Sequence, residues 1–289
     1  MTTPAGPAAA GGGFVDLHMH STASDGSRAP ADVVRAAKQA RLLAIALTDH
    51  DTVAGLDEAR AAGAELGVRV VNGVELSAVE GESETHLLGL HLRDTGAIAR
   101  GLGELRDMRA RRARQIVEKL NDLGVRITYD AVLAQAGTGA LGRPHVARAM
   151  IAEGWAVDSR DAFDRYLGAG RPAFVPKEQL SMRAAIDMVH TAGGLAVLAH
   201  PGAGGTRERI ESLRALGLDG VEVKHPSHSP ADVVRLRALC DHFGLVPSGG
   251  SDWHGATDGP RTIGMMQVPA EWLDRQEAQL AALGRAPAA

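Results

Sequence analysis

The chain has 289 residues, of which 45% are hydrophobic and 23% are charged, and its formal net charge is −4 at pH 7. These values are ordinary for a globular protein, and the net charge does not favour nucleic-acid binding. Aromatic residues make up 3% of the chain, which argues against stacking surfaces for single-stranded nucleic acid. One cysteine, Cys240, excludes an intrachain disulfide and a thiolate-rich zinc site, so the twelve histidines are the more informative feature of the composition.

Both ends of the chain carry weak structural patterns. Residues 1–13 lack the basic and apolar segments of a signal peptide, so we expect a disordered leader there. Residues 270–289 are rich in alanine and predict one peripheral helix in a C-terminal tail. No stretch approaches the roughly 20 apolar residues of a membrane span. We therefore expect a cytoplasmic protein without membrane contact and without an obligate protein partner.

Apolar runs typical of strands alternate with amphipathic runs typical of helices along most of the chain. Strands are predicted, in order, at residues 14–20, 42–51, 68–78, 85–92, 195–200, 219–225 and 245–254. Helices are predicted at residues 30–41, 53–66, 182–194, 207–217 and 231–244. This alternation predicts parallel β/α units. Polar residues follow nearly every strand, at the edge where β/α barrels place their active sites.

Residues 97–175 interrupt this alternation. A long amphipathic helix is predicted over about 100–123, and further helices begin near GRPHVARAM and cover DAFDRYLG. We interpret 97–175 as a helical insertion between two parts of one barrel, 14–96 and 176–269. The arginine-rich run 106–114 is interpreted as a solvated helix face in preference to a nucleic-acid contact, because nearby acidic residues partly offset its charge.

The first two predicted strands supply the first candidate metal ligands. His18 and His20 are two residues apart, which places both imidazoles on one face of a strand, within reach of one ion. Asp25 follows in a polar loop. The second strand ends in Asp49 and His50, although buried charge is costly without a partner. These residues are therefore candidates for a metal site.

The next two strands add a carboxylate and one histidine. Glu75 lies inside the apolar run VVNGVELSA, where a lone carboxylate needs a cation as its partner. His86 and His91 are five residues apart, so their side chains lie on opposite faces of one strand and at most one enters a shared site. We select His86 as the ligand, because it begins the strand after a polar loop, and we assign His91 to a structural role.

The last strands complete the set. His200 ends the strand LAVLAH, while Asp252 and His254 repeat the spacing of two residues after SGG, a sequence that permits close backbone approach. The set consists of nine nitrogen and oxygen donors without sulfur: His18, His20, Asp25, His50, Glu75, His86, His200, Asp252 and His254. Such a set suits two or three zinc, manganese or iron ions.

At this point the chain resembles a known family. The segments FVDLHMHSTASDG, ALTDHDT, VNGVELS, AVLAHPG and GGSDWHG are similar, in order and spacing, to the motifs of the PHP (polymerase and histidinol phosphatase) superfamily. The resemblance implies an α/β fold, a distorted (β/α)7 barrel, with three metal ions and phosphoesterase chemistry. It also implies three ligand groups: His18, His20, Glu75 and Asp252 for one ion; Glu75, His86 and His200 for a second; and Asp25, His50 and His254 for a third.

The insertion indicates which subgroup of the family the chain resembles. With its GRPH and FVPK segments, it is similar to the subgroup that contains nucleoside 3',5'-bisphosphate phosphatases and a short-RNA 5'-3' exonuclease. In that subgroup the insertion roofs the metal site. The resemblance implies that Arg143 and His145 act in catalysis and substrate binding and that Lys177 contacts a phosphate. Near the predicted barrel mouth, His225 is a candidate substrate contact and His228 a candidate helix cap, and we leave both roles open.

These patterns predict a metal-dependent phosphoesterase. Metal-activated water would hydrolyse a phosphate ester of a small substrate, a nucleotide or a short oligonucleotide. Asp49 is expected to orient a ligand histidine. The alternatives are a histidinol-phosphate phosphatase or another small-molecule phosphomonoesterase, a module attached to a polymerase, and a non-catalytic metal-binding sensor.

Overall fold

The computed structural model describes residues 13–81, 83–136, 141–176 and 180–284. The chain divides into two compact units. One combines residues 1–99 with 180–289 and is termed the barrel unit; the other, residues 100–179, is termed the inserted unit. None of the helices in the described ranges has the length and apolar character needed to cross a membrane.

Helices and strands alternate through most of the barrel unit. Its N-terminal part contains β1 (Phe14–Met19), α1 (Pro30–Gln39), β2 (Ala44–Leu47), α2 (Leu56–Leu66), β3 (Arg69–Glu80) and β4 (Ser83–Leu90). Helix α3 (Thr95–Asp122) begins in this unit and continues into the inserted unit, which also holds α4 (Tyr129–Ala136), α5 (Arg143–Ala152) and α6 (Ser159–Ala162). The barrel unit resumes with α7 (Met182–Thr191), β5 (Leu195–Leu198), α8 (Arg207–Ala215), β6 (Gly220–Lys224), α9 (Pro230–Phe243), β7 (Val246–Gly249), β8 (Val268–Pro269) and α10 (Ala270–Ala282).

The strands described form one mixed sheet in the order β7-β6-β5-β4-β3-β2-β1-β8. The pairs β1–β2, β2–β3, β5–β6 and β6–β7 are parallel, as the alternating pattern predicts. Strand β4 differs, because it runs antiparallel to both β3 and β5. Only residues 81 and 82 separate β3 from β4, so no chain remains for a crossover, and Gly81 has a positive φ of 64°.

The sheet nearly closes where the chain leaves β7. Trp253 pairs with Met19 of β1, and the Asp252 N–H donates to the His18 carbonyl at 2.9 Å. A Cβ on Gly250 would lie 2.4 Å from the His18 Cβ, so only glycine permits this approach. Short β8 pairs with the other end of β1 in the antiparallel sense. This arrangement confirms the predicted distorted barrel.

Apolar side chains of α1 pack against the strands that carry candidate ligands. Val33 and Val34 of α1 are fully buried and pack in one cluster with Met19, Leu47 and Trp253. Each fully buried side chain of this size contributes about 1.5–3 kcal/mol to folding. The residues next to the candidate ligands in β1, β2 and the turn after β7 are therefore anchored in the core.

The inserted unit has its own hydrophobic core. Ile116 and Leu120 of α3 pack with Val132 of α4 and with Val146 and Met150 of α5. In the arginine-rich part of α3, the Arg112 guanidinium donates to the Val175 carbonyl, and Arg114 lies 3.7 Å from the centre of the Tyr129 ring. At least these two arginines are therefore engaged inside the unit.

Candidate metal centre

Glu75 lies at the centre of the polar residues on the barrel edge. This β3 residue is 1% exposed, and its Oε2 atom lies 3.1 Å from Nε2 of His18 and 3.1 Å from Nε2 of His20. The same oxygen lies 3.3 Å from Nδ1 of His50, which follows β2. One carboxylate oxygen thus faces three imidazoles from two strands.

The other oxygen of Glu75 faces two further histidines. Its Oε1 atom lies 2.8 Å from Nδ1 of His86 and 3.0 Å from Nε2 of His200. His200 follows β5, whereas His86 lies near the start of β4. Because β4 runs antiparallel to its neighbours, its beginning lies at the same edge as the carboxyl ends of the parallel strands. The reversed strand therefore brings His86 into the site.

Asp25 gathers a second group of imidazoles. Its Oδ1 lies 3.2 Å from Nε2 of His254 and 3.7 Å from Nδ1 of His20, and its Oδ2 lies 3.8 Å from Nε2 of His50. Asp25, on a loop after β1, is the most exposed of these side chains at 56%. This group can hold one ion at the mouth of the site.

Asp252 divides its two oxygens between two sets of neighbours. Oδ1 lies 3.2 Å from Nε2 of His20, 3.6 Å from Nε2 of His18 and 3.5 Å from Nδ1 of His254. Oδ2 instead lies 3.3 Å from Nε2 of His225 and contacts Arg261. One oxygen thus faces candidate ligands, and the other faces side chains outside the nine-residue set.

The structure brings all nine candidate ligands to one place. Donor atoms close enough to share an ion occur in three groups drawn from the set: His18, His20, Glu75 and Asp252; His50, Glu75 and His86; and His20, Asp25, His50 and His254. Within the set, His200 and Asp252 have positive φ angles of 28° and 51°. L-residues rarely adopt this region, and such strain persists where the direction of a side chain matters.

The residues present fit divalent cations. Both ring nitrogens of His20, and Nδ1 of His86, are buried without a hydrogen-bond partner among the described residues. Buried polar atoms are normally hydrogen-bonded, so unpaired atoms that face carboxylate oxygens require another partner. Imidazole nitrogen and carboxylate oxygen are the donors preferred by zinc, manganese and iron. The chain therefore has clusters able to bind metal.

Burial and ion pairing act together on the titration of the site. Burial lowers the pKa of His18, but the carboxylates of Glu75 and Glu222 outweigh burial and hold that pKa well above its ordinary value. For Glu75 and Asp252, burial raises the pKa, yet the surrounding imidazoles hold it far below the usual range. These two carboxylates are thus ionised throughout the physiological range, which is the state needed for metal binding.

Asp49 is expected to orient a ligand histidine, but its hydrogen bonds go to two serines. Its Oδ1 accepts hydrogen bonds from the Ser21 N–H at 2.7 Å and from the Ser24 hydroxyl at 2.6 Å, and its Oδ2 accepts from the Ser21 hydroxyl at 2.7 Å. These donors come from the loop after β1 and not from a ligand histidine, because β2 ends beside that loop. Asp49 thus fixes the loop that carries Asp25.

Sequence reasoning missed Glu222. This β6 residue is fully buried, and its Oε1 lies 3.0 Å from Nδ1 of His18, while its Oε2 accepts the His200 N–H at 2.7 Å. If His18 donates its Nδ1 proton to Glu222, Nε2 is left free toward Glu75. The signal was present, because a glutamate within the apolar run GVEV repeats the pattern that identified Glu75.

Sequence reasoning also missed Arg261, which lies on the loop between β7 and β8. This arginine contacts Asp252 and lines a cavity of about 290 Å³ at the site. The cavity is lined by His50, Glu75, His86, His200, His225, Ser227, Asp252, His254 and Arg261. No motif or periodicity in the loop sequence marks this arginine.

The residues expected to contact substrate differ in where the structure places them. His225 lines the cavity but is only 2% exposed, and His228 accepts the Gly202 N–H through Nε2 at 3.1 Å. Arg143 begins α5 and donates to the Leu167 carbonyl at 3.1 Å. The Nδ1 atom of His145 accepts the N–H of residue 142 at 3.0 Å. Lys177 lies outside the described residues.

His91 lies away from the Glu75 cluster. It is 4% exposed, and its Nε2 lies 3.0 Å from Oε1 of Gln276 in α10. Burial lowers its pKa, so the ring is neutral at neutral pH. His86 therefore lies at the site, whereas His91 follows the end of β4 with a φ of 58° and lies in the packing beneath α10, so strand alternation is not what separates them.

Two curated relatives match most of the chain. It is 38% identical over 258 residues to a 3',5'-nucleoside bisphosphate phosphatase from Chromobacterium violaceum, an alignment that covers 86% of this chain and 90% of that protein. It is 36% identical over 245 residues to a 5'-3' exoribonuclease from Haemophilus influenzae, covering 83% of this chain and 89% of that protein.

A family model and a solved structure agree with these relatives. Residues 16–124 match the PHP domain. The crystal structure of a proposed metal-dependent phosphoesterase from Bifidobacterium adolescentis superposes with a TM-score of 0.65 at 32% identity, covering 92% of this chain and 96% of that chain. The family expected from the motifs is confirmed. With its barrel, its imidazole–carboxylate clusters and these similarities, the chain belongs to the PHP family and is a metal-dependent phosphoesterase.

Proposed function

We propose that this phosphoesterase hydrolyses phosphate esters of nucleotides, either a nucleoside 3',5'-bisphosphate or a short 5'-phosphorylated oligonucleotide. The observation that carries the phosphoesterase chemistry is the convergence of five imidazoles on the two oxygens of Glu75. Similarity across more than four fifths of the chain to a bisphosphate phosphatase and an exoribonuclease supports the nucleotide assignment.

We further propose that the site holds two or three divalent ions of manganese, zinc or iron. Glu75 would be shared between ions, since each of its oxygens faces a different group of histidines. Asp25, with His50 and His254, would hold the most exposed ion. When bound, these ions polarise the phosphate and generate a nucleophile from water at neutral pH.

The chain's own residues hold and orient this assembly. Glu222 fixes the ring of His18 from behind, and Asp49 holds the loop of Asp25, so the ligands keep their positions without reorganisation. His225 supports Asp252, because its Nδ1 accepts the Ser227 N–H at 3.1 Å, which leaves the Nε2 proton of the neutral ring for Asp252.

Arg143, His145 and Lys177 remain proposed substrate residues. The argument for them is the similarity of the GRPH and FVPK segments to the bisphosphatase and exonuclease subgroup. Arginine binds phosphate through two parallel N–H donors, so Arg143 suits a second phosphate of the substrate. Variants at this position, described in the Discussion, test the assignment.

A comparison of substrates under identical conditions tests the proposed function. Purified protein with added manganese is assayed on a nucleoside 3',5'-bisphosphate, a short 5'-phosphorylated RNA, histidinol phosphate and a chromogenic phosphomonoester. The proposal expects the highest kcat/KM on one of the first two. A preference for histidinol phosphate would replace the nucleotide assignment, and inactivity on all four with metal bound would favour a metal-binding sensor.

A further inference from the structure

One side chain on the cavity wall has chemistry that differs from all the others there. The cavity residues are mostly imidazoles and carboxylates, and Arg261 is the one permanent cation among the described residues that line it. Its side chain is 48% exposed, so part of the guanidinium is open to the cavity and to solvent. A phosphate ester entering this cavity meets that charge.

The loop that carries Arg261 is fixed at several points. Asp16 is 1% exposed, and its two oxygens accept the Ser251 N–H at 2.8 Å and the Gly264 N–H at 3.0 Å, which ties the two ends of the loop together. Between these points the Trp253 indole N–H donates to the carbonyl of residue 256 at 2.7 Å. Arg261 is thus presented by a braced segment that requires little ordering when a ligand binds.

The contact between Arg261 and Asp252 leaves the metal-facing oxygen free. Nη1 of Arg261 contacts Oδ2, whereas Oδ1 faces His18 and His20. Asp252 can therefore bind an ion through Oδ1 while it holds Arg261 through Oδ2. The guanidinium consequently lies beside a residue that would hold an ion, on the wall that His225 also supports.

Within the part of the chain that the structure describes, a hydrogen-bond partner occurs for one nitrogen of the Arg261 guanidinium. Arginine has five N–H donors in a planar fork, and Asp252 is the partner found for one nitrogen of Arg261. A phosphate held beside Asp252 would meet the remaining donors of this guanidinium. Such charge-assisted, bidentate contacts are typical of arginine and phosphate.

We propose that Arg261 binds the scissile phosphate and stabilises the charge that develops on it during hydrolysis. This inference rests on the proposed phosphoesterase function but not on the identity of the leaving group. Because the scissile phosphate is common to every substrate, Arg261 acts on all of them. Arg143, by contrast, is assigned to a second phosphate that a small monoester lacks.

The test compares Arg261→Ala and Arg261→Lys with the matched variant Arg275→Ala. Arg275 is 42% exposed and pairs with Asp241 at 3.2 Å, so it is an arginine of similar exposure that also pairs with an aspartate, but it does not line the cavity. Three quantities are measured for each variant: kcat/KM on a nucleoside 3',5'-bisphosphate and on a chromogenic monoester, the inhibition constant of inorganic phosphate, and the bound metal content by elemental analysis.

Arg261→Ala should lower kcat/KM by about 10- to 150-fold on both substrates, since it removes a hydrogen bond to a charged group. Inorganic phosphate should inhibit this variant more weakly by a similar factor, and its metal content should equal that of the wild type. Arg261→Lys should recover part of the loss, because it keeps the charge but not the fork. Arg275→Ala should match the wild type in all three measurements.

Three results would overturn the inference. Loss of metal together with activity would make Arg261 only a support for Asp252. A loss confined to the bisphosphate would move its contact to a second phosphate, and unchanged kinetics and phosphate inhibition would place it outside the binding site. The monoester and phosphate measurements stand even if the nucleotide assignment fails, so the two failures are distinguishable.

Discussion

The two units of this protein fix their candidate site residues in different ways. In the barrel unit, candidate ligands lie at strand ends, and Glu75 alone contacts five imidazoles. In the inserted unit, Arg143 donates a hydrogen bond to the Leu167 carbonyl. Its guanidinium lies 5.5 Å from the centre of the Phe163 ring and 5.4 Å from the centre of the Phe174 ring. Metal chemistry therefore depends on a rigid sheet edge, whereas the proposed selection of substrate depends on a unit with its own core. Changes in one unit should leave the property assigned to the other unit intact.

The largest expected effect separates the site from the barrel packing. His200→Asn and His91→Asn are matched, because both positions have positive φ, which asparagine tolerates. His200→Asn should lower kcat by about a hundredfold or more, exceeding the 10- to 100-fold typical of losing an outer partner of a metal ligand. His91→Asn should retain activity but lose about 1–3 kcal/mol of stability, since the buried Oε1 of Gln276 loses its hydrogen-bond partner. Steady-state kinetics and thermal unfolding measure both.

If the two asparagine variants lose activity to the same extent, the assignment of the two histidines to different roles is wrong. A metal analysis of each purified variant supports the comparison. His200→Asn should contain less metal than the wild type, and His91→Asn should contain the same amount.

A smaller effect tests the inserted unit. Arg143→Ala should lower kcat/KM for a nucleoside 3',5'-bisphosphate by about 10- to 150-fold, the usual range for a lost hydrogen bond to a charged group. The loss on a chromogenic monoester should be much smaller, because that substrate has no second phosphate. Arg148→Ala on the same helix is the control, since that exposed arginine donates to the carbonyl of residue 135.

Equal losses on both substrates would mean that Arg143 supports the fold or the metal site. If neither substrate shows a loss, Arg143 does not bind substrate, and the family resemblance becomes the one remaining support for the nucleotide assignment. Thermal unfolding of Arg143→Ala identifies any contribution from its contacts with the two phenylalanine rings.

Glu222 should control metal affinity more than fold. Glu222→Gln keeps the shape but removes the charge that faces His18, and metal affinity should fall about 10- to 100-fold. Asp219→Asn is a matched control, because Asp219 pairs with His190 at 2.8 Å away from the metal clusters. Titration with manganese or zinc measures the affinity. Equal affinity in Glu222→Gln and wild type would contradict the role of this carboxylate.

The smallest predicted effect is a release of protons when metal binds. Burial lowers the pKa of His18 and of His20, but neighbouring carboxylates more than compensate, and the pKa of His86 is raised mainly by its contact with Glu75. A raised histidine pKa stabilises the metal-free fold below the unfolded value of about 6.5, and this contribution is lost as pH rises through the folded value. Metal must displace these protons, so its affinity should rise with pH until the pH exceeds the raised pKa values of the folded protein.

Calorimetry at pH 7 in two buffers with different ionisation enthalpies measures this release. The apparent binding heat should depend on the buffer, and the midpoint of thermal unfolding of the chelated protein should fall as pH rises above 6.5. Buffer-independent heats would show that the histidines are already neutral before metal binds.

The sequence predicts which side chains gather at the barrel edge, because strand spacing and buried charge leave local marks. His18 and His20 share a face through their spacing, and Glu75 is conspicuous within an apolar run. The same argument applied to GVEV would have found Glu222. Glu222 contacts His18 and His200 from outside the nine-residue set.

Other features depend on contacts between distant parts of the chain. The reversal of β4 follows from a two-residue connection, whereas the alternating pattern suggested parallel units throughout. Arg261 reaches the cavity because Asp16, 245 residues earlier by sequence number, fixes its loop. Asp49 faces serines of another loop and not a histidine. Tertiary contacts of this kind leave no periodicity in the sequence.

Removal and return of metal test the central claim most directly. The protein is treated with a chelator, freed of it by dialysis, and assayed on a phosphomonoester while manganese is added in measured steps. Activity should vanish on chelation and return as two or three ions bind per chain, with no return in a Glu75→Gln variant. Full activity of protein that contains no measurable metal would contradict the account.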